Sequence, residues 1–205
     1  MVEALQSRPV RRTQAARTAA TQNALMEATI AELVQEGYTG LKTASVARRA
    51  GVTRGAQAHH YGGKADLVMA AMHHLADRLT DEFTSRLPTS RRGSMRSLER
   101  VLDLLWELHQ GELFTAAFEL WIAARTDPEL REALDGLESR ILERIGAAAA
   151  TQLPETFSRP GAAGALSTTM ATMRGLAMLT FVHEDVEREW RVARAHLLQI
   201  WSGLV

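Results

Sequence analysis

The sequence predicts an all-α protein. Three observations carry that reading. Apolar residues recur at spacings of three and four along most of the 205 residues, no segment sustains the period-two alternation of a half-buried strand, and the five prolines fall at the edges of the periodic runs. Apolar residues make up 46% of the chain, enough to fill a core, and no run approaches the roughly 20 apolar residues of a membrane span. The expected division is a basic, disordered arm over 1–16, a small three-helix unit over 17–64 and a larger helical domain over 65–205.

Residues 1–16 mix Arg, Ser, Gln and Thr around Pro9 without apolar periodicity, the composition of a disordered arm. The first helix opens at Arg17, aligns Met26, Ile30, Leu33 and Val34, and stops at Gly37, with Gly40 turning the connection. A short helix over 43–50 ends at Gly51, which suits a left-handed cap, and Thr53 is a good N-cap for another over 54–61. Gly62 and Gly63 break that helix. The next opens at Lys64 or Ala65, places Leu67, Val68, Ala71, Met72, Leu75 and Leu79 on one face, and ends near Arg86, before Pro88.

A polar loop over 87–93 leads to a helix over 94–110 with Leu98, Val101, Leu102, Leu105 and Leu108. Another follows over 112–126 with Phe114, Phe118, Trp121 and Ile122. Asp127 caps the next helix, and Pro128 takes its first position, where a missing N–H costs nothing. That helix runs to about 152, and 153–160 reads as a second loop. The final helices, over 161–183 and 186–204, carry the seam pattern of packed helix pairs: Leu166, Met170, Met173 and Ala177 on one, Trp190, Ala193, Leu197, Ile200 and Leu204 on the other. Flanking apolar residues such as Leu176, Leu198 and Trp201 widen both stripes, as expected of helices that cover a core on one side and meet a partner on the other.

The net charge of zero conceals an asymmetry. Residues 1–64 carry nine Lys/Arg against four Asp/Glu, or +5, and the remainder fifteen against twenty, or −5. A basic front points to a polyanionic partner. There is no cysteine, which removes disulfides, thiolate metal sites and thiol nucleophiles. The N-terminus lacks the apolar stretch and cleavage site of a secretory signal, so a cytoplasmic location and no membrane partner are expected. Adjacent histidines at His59-His60 and His73-His74 point about 100° apart on a helix and chelate poorly, so no metal is expected. Gly62-Gly63-Lys64 lacks the other positions of a phosphate loop, and no GxSxG element occurs, so neither a cofactor nor catalysis is expected.

The stretch TASVARRAGVTRGAQAHHY over 43–61 is the most specific in the chain. Ala47 is small where two helices cross, Gly51 makes the tight turn, and Val46 and Val52 face inward. Arg54 and Gly55 open the second helix, where free N–H groups favour an anion and Gly55 leaves room for a phosphate. This is the layout of a helix-turn-helix, whose second helix enters the major groove.

On these residues the chain resembles the TetR family of bacterial repressors. The likeness runs through Gly37-Tyr38, Val46-Ala47, the run from Ala50 to Gly55, His59-His60-Tyr61 and Lys64-Ala65-Asp66-Leu67. Asp127-Pro128-Glu129-Leu130 and Gly175-Leu176 agree more loosely. The resemblance implies a homodimer joined by the last two helices and an inducer pocket in the C-terminal domain. The interface is then assigned to Leu166, Met170, Met173, Ala177, Trp190, Ala193, Leu197, Ile200, Trp201 and Leu204. Family members usually carry an apolar residue and then an aromatic where this chain has Gln57 and Ala58, and Lys42 replaces a Thr or Ser.

Lys42, Thr43, Thr53, His60 and Lys64 are therefore candidates to position the DNA backbone, with Thr43 as a cap of the bracing helix. Arg54, Gln57 and His59 are groove candidates, beside Gly55. Two readings of Gln57 stay open: it bonds an adenine edge, or it is satisfied within the protein. Tyr61 is expected to pack behind the recognition helix. Arg48 and Arg49 either touch DNA or are solvated, and Arg8, Arg11 and Arg12 either enter a minor groove or remain a solvated tail.

A pocket is assigned to Trp106, His109, Phe114, Phe118, Trp121, Met170, Met173, Arg174 and Met178, because aromatics and methionines make adaptable apolar walls. Arg174, in a mostly apolar helix, pairs with a ligand carboxylate, with an acid such as Glu119, or across the dimer. The expected function is a repressor that binds double-stranded operator DNA as a homodimer and is released by an unidentified small-molecule inducer. The alternatives are a constitutive DNA-binding protein without inducer, and a helical small-molecule carrier or enzyme.

Overall fold

The computed structural model describes residues 13–87 and 95–203, so Arg8, Arg11, Arg12 and Leu204, to which roles are assigned above, lie outside the described residues. Ten helices and no strand occur among the described residues. The first, α1 (Gln14–Gly40), begins three residues earlier than its periodicity indicates, because the Thr13 hydroxyl accepts the Ala16 N–H at 3.2 Å and caps it. Its regular path breaks where expected, at Gly37, whose φ of 64° and ψ of 175° suit only glycine. A side chain there would also meet the Glu119 carboxylate at 2.7 Å.

Helices α2 (Thr43–Arg49) and α3 (Arg54–His60) are joined by a tight turn. Gly51 takes φ 69°, its N–H bonds the Arg48 carbonyl at 3.2 Å, and the Val52 N–H reaches back to Ala47 at 3.0 Å. That pair of bonds closes α2 as a Schellman motif. A side chain at Gly51 would have open space, so the backbone conformation alone demands the glycine.

The longer helices are α4 (Lys64–Arg86), α5 (Met95–Leu108), α6 (Glu112–Ala124), α7 (Pro128–Gln152), α9 (Ala162–Leu179) and α10 (Glu187–Ser202). The segment read as a loop contains a single helical turn, α8 (Pro154–Phe157), started by Pro154. Asp127 caps α7 as expected, its Oδ1 accepting the Leu130 N–H at 3.0 Å.

Two hydrophobic cores organise these helices. The first joins Leu25, Ile30 and Leu33 of α1, Val46 of α2, and Leu67, Val68, Ala71 and Leu75 of α4 to Ala116 and Leu120 of α6 and Leu130, Leu134 and Leu137 of α7. The second gathers Phe83, Leu102, Leu105, Trp106, Ile145, Met173, Trp190 and Trp201 from α4, α5, α7, α9 and α10. Helix α4 contributes to both, so the expected division at 64/65 does not coincide with a division between cores. Trp121 and Ile141 also pack against both. Buried polar groups are largely served. The Trp201 indole donates to Thr169 Oγ1 at 2.9 Å, and that hydroxyl donates on to the Ala165 carbonyl at 2.8 Å.

Candidate functional site

The N-terminal unit presents α3 at the surface, with Lys42, Thr53, Arg54, Gly55 and His59 exposed and Thr43, His60, Tyr61 and Lys64 half-buried. Val46 and Ala47 are buried and fix α2 against its neighbours. The Thr53 hydroxyl accepts the Ala56 N–H at 3.1 Å, which caps α3. Arg54 and Lys42 make no ion pair or hydrogen bond through their side chains among the described residues. A Cβ at Gly55 would meet only the Thr53 hydroxyl, at 3.9 Å, so nothing inside the protein requires a glycine there.

Three residues, Thr43, Lys64 and Arg49, differ from their sequence assignments, and Gln57 takes one of its two readings. Gln57 is 5% exposed and cannot reach a base edge in this conformation. Its amide donates to the Tyr61 carbonyl at 2.9 Å while the Tyr61 N–H donates to the Gln57 carbonyl at 2.8 Å, so it closes the end of α3. Of the two readings left open, the structure takes the local one.

Thr43 does not cap α2. It is the first helical residue, and Lys42 stands at the cap position without a side-chain bond. Lys64 is engaged inside the protein, donating to the Tyr38 carbonyl with its ammonium 4.3 Å from the centre of the Tyr38 ring. It pins the start of α4 to the end of α1, and burial pulls its pKa below the ordinary value. Arg49 is tied to Glu32 at 2.9 Å and also to Gln35, which locks α2 onto α1. Burial shifts the Tyr61 hydroxyl upward, in keeping with its packing against the first core.

A second feature is a partly enclosed, mainly apolar cavity of about 70 Å³ at the junction of the two cores. Of the nine pocket residues assigned from sequence, His109, Phe114, Trp121, Met170 and Arg174 line it. Trp106 is instead stacked on Trp190, centroids 4.7 Å apart, and Met173 is buried in the second core. Phe118 stacks on Phe181 at 5.1 Å, and Met178 is exposed. The sequence reading missed Leu79, Leu105, Leu108, Ala117, Ile141 and Ile145, all of which appear in apolar stripes but cannot be told from ordinary core residues by spacing alone.

The polar groups of this cavity are unusual. His109 Nδ1 lies 2.6 Å from the Leu105 carbonyl, so that nitrogen carries the proton and Nε2 is left as an acceptor. Burial lowers its pKa to about 4, against the Leu105 bond and with help from the charge of Arg174. Arg174 Nη1 donates to Glu138 at 3.1 Å, and its guanidinium lies 5.0 Å from the centre of the Trp121 ring. Its protein partner is thus Glu138 rather than Glu119.

Most of the seam residues of the last two helices face inward. Leu166, Met170, Met173, Ala177, Trp190, Leu197 and Trp201 are each at most 6% exposed and pack within the chain. Ala193 and Ile200 of the expected set lie on the opposite side, where with Thr168 and Thr172 of α9 and Arg188, Val192 and His196 of α10 they line an open groove of about 670 Å³. Val192 and Ile200 are 55% and 43% exposed. The seam periodicity is real, but spacing cannot tell an intrachain seam from an interchain one.

No helix is long and apolar enough to cross a membrane, and no group of three or more His, Cys, Asp or Glu is placed to hold a metal, among the described residues.

Comparison with known proteins bears on the helix-turn-helix directly. Residues 25–71 match the bacterial regulatory proteins of the tetR family. The HTH-type transcriptional regulator CymR of Pseudomonas putida is 32% identical over 192 residues, covering 92% of this chain and 93% of that protein. A TetR-family transcriptional regulator from Rhodococcus sp. superposes with a TM-score of 0.67 at 25% identity, covering 90% of this chain and 98% of its own. The multidrug binding protein EbrR, solved in complex with imidazole, shares the fold at 20% identity and a TM-score of 0.63, covering 90% of this chain and 94% of its own. The displayed α3, the glycine-closed turn before it and this full-length similarity place the chain in the TetR family of helix-turn-helix transcriptional regulators.

Proposed function

We propose that the protein is a ligand-responsive repressor: a cytoplasmic homodimer that holds operator DNA with two copies of α3 and lets go when a small molecule enters the cavity. The position of the cavity carries this reading. Trp121 and Ile141 line it and pack against both cores, so it cannot widen without moving residues that support α1 and α4. Its volume of about 70 Å³ is well below the roughly 300–1,000 Å³ of a filled ligand site. A ligand must therefore part the walls, and one that binds only the parted form draws the population toward it. The dimer is formed through the outward groove of α9 and α10, setting two recognition helices toward major-groove faces about 34 Å apart. The chemistry is binding, without catalysis.

The test begins with DNA fragments selected by the purified protein and sequenced. The resulting complex is then titrated with a metabolite panel, and release by at least one compound supports the proposal. Retention across the panel, with no compound raising the melting temperature, favours a constitutive DNA-binding protein. Operator affinity is expected to fall steeply with salt.

Arg54→Ala is expected to cost about 1–3 kcal/mol and to relax preference at one base-pair position. Gln57→Ala is expected to leave base preference intact and to lower stability by about 1–2 kcal/mol, because the Tyr61 carbonyl loses its buried donor. Binding to operator variants and urea unfolding separate the two effects, and relaxed specificity in Gln57→Ala would show that α3 rearranges on DNA.

A further inference from the structure

We propose that the cavity takes a compact apolar acid whose carboxylate replaces Glu138 on Arg174. This rests on the ligand-responsive reading above and names the chemistry of its ligand.

The first support is the charge of the walls. Among the residues lining the cavity, Arg174 is the sole carrier of a full charge, because His109 is neutral and the others are apolar. Glu138, which holds Arg174, and Asp135 line neighbouring open clefts and do not line the cavity. Glu138 holds Arg174 from the cleft side, so a cation in the cavity would meet no carboxylate among the lining residues, whereas an anion can draw the guanidinium away from Glu138.

The second support is unused donor capacity. A guanidinium has five N–H donors in a fork that fits a carboxylate through two parallel bonds. Arg174 spends one of them, on a single 3.1 Å contact from Nη1 to Glu138, and its side chain is 27% exposed. A ligand carboxylate bound through two bonds replaces a contact made through one.

The third is position. Arg174 and Met170 line both the partly enclosed cavity and the open cleft that holds Glu138, so together they form the wall between them. A guanidinium turned inward from Glu138 stays beside Trp121, whose ring it already covers. The remaining walls, including Leu79, Leu108, Phe114 and Ile145, accept a ring or a branched alkyl group, and the other N–H donors on lining side chains are the Trp121 indole and His109 Nδ1, the latter bonded to Leu105. The exchange also gives the ligand a mechanical consequence, because the Arg174–Glu138 contact is a tie between α9 and α7.

The experiment uses the full-length dimer and three matched probe series: benzoic, phenylacetic and 4-methylpentanoic acids, their primary amides, and the corresponding amines. Tryptophan fluorescence and thermal shift read binding without DNA, and operator release is read separately. The acids are expected to bind about tenfold or more tightly than their amides, and the amines not at all. Arg174→Gln is expected to remove the preference for acid over amide while leaving amide binding in place. Glu138→Gln, which removes the competing carboxylate, is expected to tighten acid binding severalfold.

Equal binding of acids and amides, or a preference that survives Arg174→Gln, overturns the assignment. Amides or amines that release the operator while acids do not would also overturn it, and would leave the ligand-responsive reading standing. Absence of binding by all three series, together with the failure of the metabolite panel, would remove both.

Discussion

Glutamate at both Val192 and Ile200 will leave the chain monomeric and its operator binding weaker by roughly a thousandfold or more. Both side chains stand exposed on α10, and His196 lies between them on the same four-residue stripe. In an isolated subunit the two carboxylates point into water and cost little. In a dimer joined through this groove four added carboxylates would be brought together beside Glu189, with Arg188 of each subunit as the sole fully charged cation lining the groove, which is strongly unfavourable. Sedimentation equilibrium measures the assembly, and circular dichroism of the same sample checks that the subunit remains folded. A double variant that sediments as a dimer would exclude this face as the interface. Leu197 does not serve the purpose, because it is 2% exposed and a charge there would damage the core of the subunit itself.

Acid will destabilise the fold through His109. In the folded chain burial holds its pKa near 4, with the charge of Arg174 on α9 acting in the same direction and the bond to the Leu105 carbonyl of α5 opposing it. In the unfolded chain the ring returns to 6.5, so between these values the unfolded state binds the extra proton. The stability contribution is complete above pH 6.5 and is lost as the pH falls toward 4, amounting to about 3 kcal/mol over the whole window. Between pH 7.5 and 5, above most carboxylate titration, about 2 kcal/mol of it should disappear. The chain has six other histidines, so the measurement is a difference: urea unfolding of the native chain and of His109→Gln across the pH series. Equal slopes for the two proteins would mean that the ring is not held neutral.

Much of the fold was legible because its signals are local. Gly37, Gly51, Thr53 and Asp127 end or start helices through backbone geometry and short-range bonds, and the structure uses each as expected. What needed the structure was direction across space. Gln57 is polar and sits on a helix that meets DNA in related proteins, and only the packing of α3 shows that its amide turns inward to Tyr61. Lys64 carries a charge next to the same surface, yet its ammonium is held by Tyr38, 26 residues earlier in the chain. The seam stripes of α9 and α10 are correct in period, but most of their residues pack into the chain's own second core, and spacing alone does not give that facing. The cavity was half legible: aromatic and charged lining residues stand out by type, whereas Leu79, Ile141 and Ile145 become lining only where five helices leave a gap between them.

Helix α4 has one more effect, which follows from its stiffness. Its 23 residues contain neither glycine nor proline and run from Lys64, beside α1, past Leu79, which touches the cavity. At 1.5 Å per residue the lever from Leu79 to Lys64 is about 22 Å long, so a tilt of about 5° at the cavity sweeps its far end through about 2 Å. Two subunits tilting in opposite senses would change the spacing of their DNA-reading ends by about 4 Å, more than the reach of a hydrogen bond can absorb. In the proposed dimer, a rod of this kind would turn a small swelling in the interior into a loss of fit on a rigid double helix, without any need for the subunit to come apart.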